Sequence, residues 1–137
     1  MNKSGVLVRP WSYKVHDYIN VPIVGILASL CVAGLLDLVN TYVVTKIFVI
    51  YIILDTIWIL IFPDSIPSMA SFIVLHHVLT FCILLHPLRY PEHSIETCRD
   101  GIVELNTFFL ILRRQLRRGS FANILCNSCY NLTLGIR

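Results

Sequence analysis

Residues 43–62 read VVTKIFVIYIILDTIWILIF, twenty positions holding only two charged side chains, Lys46 and Asp55. A transmembrane helix needs about 20 predominantly apolar residues to cross a hydrocarbon core of about 30 Å. This stretch meets that length, and Lys46 is near enough to one end to reach the surface on its flexible stem. Asp55 lies about halfway along and has no such escape.

Two stretches of the same kind flank it. Residues 21–39 carry Gly25, Ala28, Ser29, Ala33 and Gly34, small side chains that let helices approach closely in lipid. Pro22 suits a first helical turn, where its missing N–H is not needed. Asp37 is close enough to the far end to reach the interface, and Asn40 and Thr41 make a short turn. Residues 69–85 form the third span. It is preceded by a tight loop that contains Pro67 and is closed by His86 and Pro87, because the residue before a proline avoids helical geometry. A fourth apolar stretch, residues 101–112, is short for a crossing. It is either lengthened by residues 95–100 or lies at the interface. The expected fold is therefore all-α: a multi-pass transmembrane helical bundle of about four membrane helices.

Composition agrees. Of 137 residues, 56% are apolar and 14% charged, with a mean hydropathy of +0.74. Soluble domains carry roughly 45–50% and about 25% respectively. Lys3 is followed by too short an apolar run before Arg9 and Pro10 to form a cleavable leader, so targeting falls to the first span. The net charge of +3 is unevenly placed: Arg113, Arg114, Arg117 and Arg118 cluster behind the fourth stretch. They read as a cytoplasmic anchor under the positive-inside rule. No aromatic residues interleave with them, which argues against a nucleic-acid partner. With four crossings, Lys3, Arg9, Lys14, the four arginines and Arg137 share one side, and Lys46, Arg89 and Arg99 share the other. That split puts both termini in the cytoplasm. The expected organisation is a cytoplasmic N-terminal tail at 1–20, a membrane domain at 21–118 and a polar tail at 119–137.

The five cysteines do not form a disulfide framework. Cys31 and Cys82 lie in apolar runs, where a thiol behaves as a small hydrophobe. Cys98 lies in a polar stretch. Cys126 and Cys129 make a lone C-x-x-C without further ligands at zinc spacing, so neither a metal nor a cofactor is expected. The tail also carries a glycosylation sequon at Asn131, Leu132 and Thr133.

The informative residues are ionisable ones at membrane depth: Asp55, His76, His77 and Glu104. Each is costly in hydrocarbon, so such groups face a bundle interior and pair with one another. An antiparallel arrangement brings Asp55 and the histidines to one level. Tyr51 is one turn from Asp55, Thr80 one turn from the histidines, and Asn106 and Thr107 follow Glu104. Interhelical hydrogen bonding and a chemical or ligand-binding role both fit this set.

These same residues carry a family resemblance. Tyr51 and Asp55 in Y-x-x-x-D, the pair His76 and His77 with Thr80 downstream, and Glu104, Asn106, Thr107 and Phe109 ahead of Arg113 are together similar to the TLC domain, over roughly residues 45–118. The resemblance implies a membrane domain, of the endoplasmic reticulum or related membranes, acting in lipid handling or homeostasis. In ceramide synthases of this family paired histidines are implicated in acyl transfer. That would make His76 and His77 the catalytic candidates, with acyl-CoA and a sphingoid lipid as partners. Ceramide synthases carry an acidic H-D-x-S-D segment, whereas residues 104–107 here read ELNT, closer to the TLC proteins that are not synthases. A role as a cargo or translocon partner is a third expectation. A full TLC domain continues through further helices after the arginine.

Overall fold

A computed structural model describes residues 10–66 and 70–134. Lys3, Arg9 and Arg137 of the charge count lie outside the described residues, as do Pro67 of the expected loop and Met69 at the expected start of the third span. Among the described residues the chain is an all-α bundle: α1 (Trp11–Leu35), α2 (Thr41–Ile61), α3 (Ala70–Arg89), α4 (Ser94–Gly101), α5 (Val103–Gln115) and α6 (Phe121–Leu134). The first three are long and apolar enough to cross a membrane.

Helix α1 begins ten residues before the expected span. Residues 11–20, expected as tail, are its first turns, and Pro22 lies in its interior. The missing N–H at Pro22 costs the bond to the Tyr18 carbonyl. Both residues are exposed, so the defect falls on the outer face and the buried face continues. In the turn to α2, Asp37 takes a positive φ of 55°, which a short polar side chain tolerates. The Asn40 side chain then caps α2, accepting from the Tyr42 N–H at 2.9 Å and the Val43 N–H at 3.4 Å. That satisfies two of the amides a helix start leaves open.

Helix α3 does not stop at His86. It runs through Pro87 to Arg89, and the Tyr90 N–H closes on the His86 carbonyl at 2.9 Å. A proline so close to the end removes a single bond, and burial of Pro87 holds the last turn against the bundle.

The fourth stretch is helical, and a separate short polar helix precedes it. Helices α4 and α5 form a helical path over 94–115 interrupted at Ile102. Two glycines set its approach. A Cβ at Gly34 would stand 2.6 Å from Cys98 Sγ, and one at Gly101 would collide with Cys31 Sγ while meeting Phe48 at 3.1 Å. Three helices thus converge where side chains are absent. Farther along, Phe108 rests against Gly25. Residues 98 to 108 therefore descend as α1 positions 34 to 25 do, and the path runs antiparallel to α1. Side-chain hydroxyls fasten its start to α2: Thr41 with Ser94 at 2.6 Å, and Thr45 donating to Thr97 at 2.9 Å. The core between these helices is Leu27, Cys31, Val44, Phe48, Val49, Ile52, Leu84 and Cys98. Helix α6 folds back on α5, where the Asn123 amide donates to the Arg113 carbonyl at 3.0 Å and the Arg113 guanidinium sits over the Tyr130 ring.

This path puts the start of α1, the turn after α2 and the end of α5 at one end of the bundle. Lys14 and the four arginines gather there, and Lys46, Arg89 and Arg99 lie toward the other end.

Candidate functional site

Asp55 is buried on α2, facing α1. It is not midway along its helix. It stands six residues before Ile61, about 9 Å along the axis, so the cluster sits in the end third of the bundle, toward the end at which the arginines lie. Its Oδ1 accepts from His16 Nε2 at 2.9 Å and from the Asn20 amide at 3.0 Å. Its Oδ2 faces His77 Nε2 at 3.6 Å, beyond hydrogen-bond length. Desolvating a carboxylate is expensive unless its lone pairs are met, and α1 supplies both groups that bond it, with His77 of α3 standing farther off.

The structure brings Asp55 and His77 together across α2 and α3. It separates His76 from His77, as neighbouring helical positions point about 100° apart. His77 is buried and His76 exposed, with ring centroids 5.9 Å apart. Tyr51 is half-buried and within electrostatic range of both Asp55 and Glu104. Glu104 interacts with Thr107 one turn on and, more weakly, with Asp55. Asn106 and Thr80 are half-buried, and among the described residues Thr80 makes no side-chain hydrogen bond with this group. Of the arginines, Arg113 is half-buried, while Arg114, Arg117 and Arg118 are exposed.

Three members of the site were missed in the sequence. His16 and Asn20 fell in the supposed tail, although Ser12, His16 and Asn20 repeat at intervals of four, the spacing of one helical face; all three are buried. Thr56, next to Asp55 in the chain, carries no sequence signal of its own. Its hydroxyl donates to the Ile52 carbonyl at 2.6 Å and lies 3.1 Å from His77 Nδ1.

Behind this group opens a cleft of about 220 Å³ between α2 and α3, lined by Ile52, Ile53, Thr56, Ile57, His77, Val78 and Phe81. Ile53, Ile57 and Val78 are substantially exposed, so its mouth is on the outer face of the bundle. Among the described residues its floor is polar only at Thr56 and His77. Thr56 Oγ1, His77 and Asp55 form a row running inward from the cleft, with the carboxylate held from behind by α1. The arrangement suits an apolar molecule with one polar contact at its end.

Cys126 and Cys129 share a face of α6. Burial, and then the neighbouring Cys129, push the Cys126 thiol above its ordinary range. No group of three or more potential metal ligands occurs among the described residues. Comparison with protein-family models, with curated proteins and with solved structures found no match.

Proposed function

We propose that this chain is a multi-pass membrane protein that handles membrane lipids, receiving an acyl chain in the α2–α3 cleft. The observation that carries this reading is an apolar cleft on the bundle's outer face whose floor holds a buried, carboxylate-backed histidine. A groove on a lipid-facing surface meets acyl chains by lateral diffusion, and its apolar lining loses nothing by exchanging one chain for another. The polar floor is then what makes binding selective, because buried polar groups discriminate by their partners.

The α4–α5 path is proposed as the fourth crossing, with both termini and the arginines on the cytoplasmic side. The ordered residues similar to the TLC domain point to the same class of function and to the endoplasmic reticulum or a related membrane. An engineered glycosylation acceptor tests this topology. It should be modified in the 90–93 turn and not in the 63–66 turn.

The functional test is photo-crosslinking of a diazirine-bearing phospholipid in native membranes, with cellular lipid profiling alongside. Crosslinks are expected to concentrate on residues 52–57 and 77–81 and to be lost in Ile53→Trp, which fills the mouth. Crosslinks spread evenly around α2 and α3, with an unchanged lipid profile, would refute the reading.

One observation favours a second reading, acyl transfer from acyl-CoA. The His77 imidazole lies between a hydroxyl and a carboxylate, and in the tautomer that carries its proton on Nε2 its Nδ1 is free to act as a general base. That reading requires His77→Ala to abolish acyl-CoA-dependent product in membranes. It should be dropped if the purified protein acylates no amine acceptor.

A further inference from the structure

We infer that the α2–α3 cleft selects a single-chain lipid ending in a hydroxyl group. This rests on the reading of the cleft as a lipid site and follows from the hydrogen-bonding capacity of its floor. A threonine hydroxyl has one proton to give and two lone pairs to fill. Thr56 gives its proton to the Ile52 carbonyl at 2.6 Å. With that proton engaged, its contact of 3.1 Å with His77 Nδ1 calls for the tautomer protonated at Nδ1, in which the imidazole N–H donates to Thr56. One lone pair of Thr56 is left. His77 has nothing further to offer, because its other nitrogen faces Asp55. The polar floor of the cleft amounts to a single hydrogen-bond acceptor.

That capacity excludes most lipid head groups. A carboxylate or phosphate brings more acceptors against an acceptor and approaches the Asp55 carboxylate, with no cation among the lining residues. An ester or ether has nothing to donate. An alkylammonium would be drawn toward Asp55, but that carboxylate is already bonded by His16 and Asn20 behind His77, so it brings three donors to one acceptor and leaves two unmet in apolar surroundings, which is costly. A hydroxyl brings one donor to one acceptor.

The placement fits as well. Thr56 is five residues before Ile61, about 7.5 Å of helix from that end. Phe81 and Ile52 carry the apolar lining from there toward the middle of the bundle. A long-chain alcohol would sit with its hydroxyl toward the surface and its tail toward the bilayer centre. The cleft holds roughly seven waters' worth of volume at about 30 Å³ each, which takes the first part of one chain, and the remainder stays in lipid.

The test uses the full chain in detergent micelles and a diazirine-bearing hexadecanol as the labelling probe. Unlabelled hexadecanol, hexadecyl methyl ether, hexadecane, hexadecylamine and hexadecanoate compete. Hexadecanol is expected to compete roughly three- to tenfold better than the others, the difference one net hydrogen bond makes. Thr56→Val should erase that preference while leaving labelling in place, and Thr56→Ser should keep it. Equal competition by alcohol and ether, or stronger competition by the amine, overturns the hydroxyl inference and leaves the cleft reading standing. Labelling that survives in Ile53→Trp overturns both.

Discussion

The contact between His16 and Asp55 offers the sharpest test of how this bundle is held together. The carboxylate is buried between three helices, yet its partners are unequal. His16 Nε2 is 2.9 Å from Oδ1, a good hydrogen bond, whereas His77 Nε2 is 3.6 Å from Oδ2, too long for one. Hydrogen bonds to charged groups contribute about 1.5–3 kcal/mol in proteins at large, and interhelical bonds in membrane proteins average about 0.6 with a maximum near 1.7 kcal/mol. Losing His16 does not strip Asp55, because Asn20 still donates at 3.0 Å. The penalty of about 3–5 kcal/mol for a bare buried charge is therefore not reached. A double-mutant cycle of His16→Phe with Asp55→Leu should give a coupling of about 1–2 kcal/mol. The cycle of His77→Phe with Asp55→Leu should give a smaller one, near the additivity scatter of about 0.3–0.5 kcal/mol. Reversible unfolding in mixed micelles of mild and denaturing detergent, followed by far-UV dichroism, supplies the four stabilities of each cycle. An additive His16 cycle, or a His77 coupling that equals or exceeds it, would refute the claim that α1 is what satisfies the carboxylate.

Other consequences can be checked with the same preparation. Gly34→Ala should destabilise the bundle by about 1–3 kcal/mol through overpacking, since its new methyl group would meet Cys98 Sγ at 2.6 Å. Adding Cys98→Ala should recover much of that loss, and no recovery would mean that the α1–α4 approach is not limited there. N-ethylmaleimide should alkylate the half-buried Cys129 of α6, outside the three spans, well before the buried Cys31 and Cys98; equal rates would show that the core opens. Alkylation of Cys126 should still be rising at pH values above the usual thiol range, because its folded pKa is raised and the thiolate is the reacting form. A rate that levels off in the ordinary range would contradict its burial against α5.

The helices themselves were legible because they are apolar over the length of a bilayer, a one-dimensional property. Residues 43–62 identify α2 to within two residues at each end. Asp55 and His77 could also be matched in level, since antiparallel neighbours of known rise leave little freedom. Local rules misled at the prolines. Pro22 and Pro87 stop isolated helices, but each removes only one hydrogen bond, and packing of the remaining turns outweighs it. His16 and Asn20 lie ahead of Pro22, in a stretch whose mixed polarity resembles a tail. Their polarity reads as solvent exposure until a buried carboxylate is known to lie opposite. The interruption at Ile102 and the division of His76 from His77 between outside and inside depend on which faces meet, and sequence spacing alone leaves that open.

Sequence by itself thus determined that the chain is helical, that three segments match a bilayer, and that ionisable groups lie within them, because length, hydropathy and charge are additive along a chain. Only the tertiary structure decided which donors reach Asp55, that Gly34 and Gly101 let three helices converge, and that Thr56 rather than His76 stands with His77 at the cleft. Those are distances between segments remote in sequence, fixed by how side-chain volumes and hydrogen bonds are jointly satisfied.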